Sequence, residues 1–134
     1  MMIFQFEINE SLRDKINENP MAYLEGSLRI IVDDIVLFDY SGILLLEFAL
    51  SLKQWIVKFK QGYIEDFIYE SMDFNGTIIK FKLINSSYNI ESVWQLAESV
   101  SLVEGVDLCR VSEGFIFDFS KTIMEMFRVE FNCY

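Results

Sequence analysis

From Ser41 onward the apolar residues stop alternating and recur every third or fourth position, and this switch limits the possible folds more than any other feature of the chain. Leu44, Leu45, Phe48, Leu52, Trp55, Ile56 and Phe59 then share one side of a helix that runs to Lys60. Glu47 near its start and Lys53, Lys58 and Lys60 near its end complement the helix dipole, and Gly62 suits the C-terminal cap. Ahead of the switch the period is two. Residues 2–8 place Phe4, Phe6 and Ile8 out of phase with Ile3, and Tyr23–Val32 sets Leu24, Leu28 and Ile30 against Tyr23, Glu25, Ser27 and Arg29. Asp33-Asp34 then makes a tight turn into a third strand, Ile35–Asp39. Gly26 marks a bulge or a close approach. The polar stretch Asn9–Asn19 ends at Pro20 and predicts a loop with one helical turn.

Beyond the helix, Tyr63–Tyr69, Thr77–Ile84 and Tyr88–Trp94 are predicted as strands four to six. The turn residues Asn75-Gly76 and Asn85-Ser86-Ser87 join them into an antiparallel meander. Ser101 and Glu104 fit a capping box ahead of a second long helix reaching about Phe131. Phe115, Phe117 and Phe119 alternate as in a strand, and Gly105 and Gly114 weaken a helix, but the broadly apolar run favours one. The expected architecture is a single α+β domain over residues 1–134. It has an antiparallel sheet of about six strands packed against two helices, in the order β-β-β-α-β-β-β-α.

A chain of 134 residues, 52% hydrophobic and with 13 Phe, can fill one large core. Its mean hydropathy of +0.26 leaves apolar surface for a contact patch, either with a partner or in a homodimer. The net charge of -10 repels phosphate backbones, so nucleic acid is not an expected ligand. The same field attracts basic proteins, or simply keeps an apolar-rich chain soluble. Residues 1–12 lack the basic and apolar regions of a signal peptide, and the stretch Ile43–Leu52 is too short to span a bilayer. Cys109 and Cys133 fit no metal or redox pattern and are expected to be reduced thiols. A cytoplasmic location without membrane association follows as the expectation.

The chain has no histidine, which removes the commonest general base along with His-based triads and zinc sites. Its six glycines form no phosphate-binding loop, and Asp33-Asp34 and Glu65-Asp66 lack the spaced ligands of a calcium loop. No catalytic, cofactor or metal residue is assigned, and the chain is not expected to be an enzyme. Glu65, Asp66, Glu70 and Asp73 could formally supply a carboxylate pair, but 21 acids make such clustering expected by chance. The same segment, EDFIYESMDF, suits a strand near a sheet edge. Its Glu65, Asp66, Tyr69, Glu70 and Asp73 are the candidate contacts for a basic partner, unless the acids only keep that edge from aggregating. Trp55 falls on the apolar helix stripe and reads as core, whereas Trp94 fits a core or an interface role equally.

The segments YLEGSLRI (23–30), LLLEFALSLKQW (44–55) and EDFIYESMDF (65–74) resemble a family of small bacterial proteins. Some of these look like immunity proteins of polymorphic or contact-dependent growth-inhibition toxin systems. The resemblance extends from the start of the chain to about Trp94, and the last forty residues depart from it. It implies a cytoplasmic inhibitor that binds and masks a cognate toxin domain, commonly a basic nuclease, whose cationic cleft would accept carboxylates. The five candidate contacts rest on charge and spacing alone. Two alternatives stay open: a small-molecule carrier with an aromatic-lined pocket, and a homodimeric structural module.

Overall fold

The computed structural model describes residues 1–71, 74–98 and 101–134. The order is β1 (Met2–Ile8), α1 (Arg13–Glu18), α2 (Pro20–Tyr23), β2 (Glu25–Val32), β3 (Ile35–Leu44), α3 (Leu45–Lys60), β4 (Phe67–Glu70), β5 (Thr77–Ile84), β6 (Ser87–Ser92), β7 (Val103–Glu104) and α4 (Gly105–Phe127). The fold is α+β. The strands form two antiparallel sheets, β1-β2-β3 and β4-β5-β6-β7, rather than the single six-stranded sheet expected from the sequence. Helix α3 lies between them in the chain and packs on β2 and β4, while α4 packs on β1 and α3. Both helices therefore serve both sheets.

Alternation places β1 and β5 at the predicted bounds, and Asp33 and Asp34 both take positive φ in the hairpin turn between β2 and β3. Other boundaries move for local reasons. Strand β3 continues past Asp39 because Ile43 and Leu44 pair with Gly26 and Glu25, so α3 starts at Leu45 and not at Ser41. The stretch 9–19, predicted as a loop with one helical turn, carries a 3-10 turn capped by the Asn9 side chain and then α1, which buries Ile16. Pro20 opens α2, where its missing N–H is not needed, and this helix takes Tyr23 away from β2. Helix α3 ends in a Schellman motif: Gly62 at φ 93° and Tyr63 donate to the carbonyls of Phe59 and Lys58. Tyr63 is thus consumed by the cap, and β4 does not begin until Phe67. Strand β6 stops at Ser92, where the Trp94 N–H donates to Ser92 Oγ and the Ser92 N–H to Gln95 Oε1. Ser101 does not cap α4. Val103 and Glu104 extend the second sheet as β7, and the helix runs from Gly105 to Phe127, where Arg128 at φ 57° ends it short of Phe131.

The core is one continuous cluster centred on aromatic rings. Phe4 of β1 packs within 5.3–6.3 Å of Phe48 in α3, Phe81 in β5 and Phe115 in α4, and Phe48 also meets Phe67 and Tyr69 of β4. The odd Phe residues of α4 divide by helical geometry: Phe115 and Phe119 are buried, Phe117 points outward. Between the sheets, Ile30, Leu37, Phe38, Ile79 and Ile90 leave no volume that a water molecule could occupy. The aromatic content fills the interior rather than lining a ligand chamber there. Trp94 stacks on Tyr40 (4.2 Å) and Phe38 (6.5 Å), and the Leu96 N–H donates to the Leu37 carbonyl, so the segment after β6 clasps the edge of the first sheet.

At Gly26 the backbone of β2 lies close against that of β1. A Cβ there would lie 2.0 Å from the Glu7 carbonyl oxygen and 2.9 Å from Leu45 Cδ1. Because backbone must move to admit it, Gly26→Ala should destabilise by about 2 kcal/mol or more, seen as a lower urea midpoint. A variant as stable as the parent would show that the strands are not in this contact. Ser112 of α4 has a fully buried hydroxyl with no hydrogen-bond partner among the described residues. Ser112→Ala removes that unmet polar group and favours the helix, so a gain of about 0.5–1 kcal/mol is expected in the same measurement.

Candidate interaction surface

The segment singled out for partner contact is divided by the fold. Glu65 is exposed and its carboxylate pairs with Lys58 at 3.3 Å. Its carbonyl oxygen accepts two hydrogen bonds, from Trp55 Nε1 and the Tyr88 hydroxyl, each 3.0 Å long. Those bonds tie α3, β6 and the approach to β4 at one point. Asp66 is half-buried: Oδ1 accepts the Leu83 N–H at 2.7 Å, standing in for a ladder carbonyl just before β4 begins, and Oδ2 lies 3.8 Å from Lys80 Nζ. Tyr69 is fully buried, and its hydroxyl donates to Glu47 Oε1 at 2.8 Å. It is therefore a core residue and presents no surface to a partner. Glu70 is exposed at the end of β4, and Asp73 lies outside the described residues.

Ile68 and Glu70 lie on the outward face of the edge strand β4, and Asp66 immediately precedes it, so that Ile68, 48% exposed, stands between two acids. Beside it opens a shallow groove of ≈ 350 Å³, lined by Ile68, Ile78, Lys80, Glu91 and Val93 among others. Pairing explains the grouping, since Ile68 stands opposite Lys80 and Lys80 opposite Glu91 across three strands. Alternation along β5 and β6 already separated Lys80 from the inward Ile79 and Phe81. The meander made β4, β5 and β6 neighbours, but their register is not visible in the sequence, so Glu91 and Val93 could not be added to the acidic segment from it. This surface sets the apolar Ile68, Ile78 and Val93 beside the carboxylates of Glu70 and Glu91, with Lys80 among them, chemistry suited to a partner with both apolar and cationic side chains.

No group of three or more His, Cys, Asp or Glu side chains that could hold a metal occurs among the described residues. Among the same residues, no helix is long and apolar enough to cross a membrane. Both cysteines are free: Cys109 is buried, and burial pushes its thiol up, while Cys133 is exposed.

Taken together, the molecule is an α+β domain whose interior is filled and whose distinctive chemistry lies on an open sheet face. The model of a family described as a domain of unknown function (DUF7878) matches residues 2–125, and the chain belongs to that family. Neither the curated proteins nor the solved structures contain a match.

Burial raises the Tyr88 phenol above its usual value of 10.0, and the Asp66 and Glu65 carboxylates push it further. A group held protonated in this way stabilises the fold below its unfolded pKa and loses that contribution as pH climbs through the higher folded value. Tyr88→Phe should therefore lower stability by about 1 kcal/mol near neutrality through loss of the bond to the Glu65 carbonyl. The deficit should shrink above about pH 10, as the parent itself weakens. Urea unfolding at both pH values checks the effect, and a deficit that grows with pH would contradict it.

Proposed function

We propose that this domain works by stoichiometric protein binding, and that its partner is a basic toxin domain, which would make the chain an immunity protein acting in the cytoplasm. The observation that carries the binding reading is the acid–apolar–acid row along β4 and the residue before it, where an exposed Ile68 sits between Asp66 and Glu70 beside a groove lined by Ile78 and Val93 among others. An apolar anchor with carboxylates on its strand, and Lys80 across from it, contributes affinity through burial, while the surrounding excess of acid raises the association rate. The net charge of -10 extends the attraction beyond the contact itself. The resemblance of the three sequence segments to immunity proteins supplies the toxin as the particular partner.

Glu70 and Ile68 are the informative positions, because Asp66 also holds the Leu83 N–H and its loss would disturb the sheet. Titration calorimetry against the toxin domain encoded next to this gene should give a one-to-one complex. Ile68→Ser should weaken it by about tenfold or more. Glu70→Lys should slow association at low salt by several-fold, with little change in unfolding midpoint. Absence of binding at micromolar concentrations would reject the toxin as partner, and full affinity in both variants would move the contact off β4.

A further inference from the structure

Helix α4 turns an unusual face to solvent. Val106 and Phe117 are 73% and 67% exposed, more than any other large hydrophobic side chain except Met1 among the described residues. Between them, in the middle of a 23-residue helix, stands Gly114. Glycine there weakens the helix by about 1 kcal/mol relative to alanine. Nothing among the described residues requires it, since its φ is not positive and an added Cβ would meet none of their atoms within 4 Å. With 3.6 residues per turn, Asp107, Arg110, Gly114, Phe117 and Lys121 fall in one exposed stripe along the helix. Counted from Gly114, the stripe carries an acid seven residues before, a guanidinium four before, an aromatic ring three after and a base seven after.

We propose that α4 is a self-association face, pairing antiparallel with α4 of a second copy about a two-fold axis at Gly114. A two-fold axis matches residues equally far before and after the centre, so the patch must complement itself. In this register Gly114 meets the partner's Gly114, and the missing side chains let the helix axes approach closely. Each Asp107 faces the partner's Lys121, and each Arg110, four residues before the centre, lies one residue's rise of about 1.5 Å from the level of the partner's Phe117, three after it, so that its long side chain reaches that ring. Both contacts then occur twice. Cation–aromatic and ion-pair contacts gain strength as the seam excludes water. In the single chain Arg110 rests 3.6 Å from Asp107, an exposed pair one helical turn apart, and it exchanges that contact for the ring while Asp107 takes up Lys121. The arrangement accounts for a mid-helix glycine and an outward phenylalanine that the single chain leaves unexplained. It is independent of the contact surface proposed above on the second sheet.

Sedimentation velocity of the full chain over a concentration series is the test. One helix pair buries a small interface, so the dimer should form in the range of about ten to a hundred micromolar. Gly114→Leu keeps the apolar character of the stripe but fills the crossing point. It should weaken association at least tenfold while the thermal midpoint of the monomer holds or rises. Phe117→Ser provides the same loss of association if the leucine variant folds poorly. Asp107→Lys should weaken the dimer as well, and adding Lys121→Asp to it should restore the dimer, because the paired charges have exchanged sides. A chain that stays monomeric throughout the series would overturn the proposal, and so would a dimer of unchanged affinity in Gly114→Leu and Phe117→Ser.

Discussion

Phe4 is the point on which the two sheets and the two long helices agree. Its ring touches Phe48, Phe81 and Phe115, which belong to α3, β5 and α4. That junction helps cover both sheets, since β1-β2-β3 and β4-β5-β6-β7 are each open sheets with an apolar face to bury. Ring contacts of this kind add about 0.5–1.5 kcal/mol per pair beyond area burial. They also fix relative orientation, because edge-on and tilted rings tolerate only certain approaches. Phe48, at 88° to Phe67 and 84° to Tyr69, extends the same constraint to the edge strand that carries the candidate contact surface.

A second constraint positions that surface. The Glu65 carbonyl is held by Trp55 and Tyr88, and Asp66 receives the Leu83 N–H. The approach to β4 is therefore anchored by polar bonds to α3, β5 and β6 before the strand begins. Ile68 and Glu70 project from a fixed edge rather than from a loose connection, which lowers the ordering penalty of any contact they make. The price is that part of the acidic segment is structural: Tyr69 and Asp66 serve the fold first, leaving Ile68 and Glu70 as the outward-facing chemistry. The outward stripe of α4 is a separate surface, set by helical geometry alone.

How much was legible depended on whether a signal was local. The bounds of β1 and β5, the Asp33-Asp34 turn, the meander β4-β5-β6 and the burial of Trp55 all follow from periodicity and turn chemistry within about ten residues. Boundaries failed where a distant partner competed. Ile43 and Leu44 fit the helical spacing, yet Gly26 and Glu25 hold them in β3. Tyr69 looked like an outward aromatic because acids flank it, but period-two geometry alone cannot say which face of a strand is covered. The segment 63–69 read as one strand, yet a helix cap and the Glu65 carbonyl used its first residues elsewhere.

By itself the sequence determined the fold class, the long central helix, most of the strands and the excess of negative charge, because composition and short-range periodicity carry those properties. The tertiary structure alone decided that the strands divide into two sheets, that Tyr69 faces inward while Ile68 faces out, and that Glu91 and Val93 join β4 in one groove. Those are pairing relations between segments far apart in the chain. They depend on which apolar faces can be covered at once, and that is a property of the whole packed molecule.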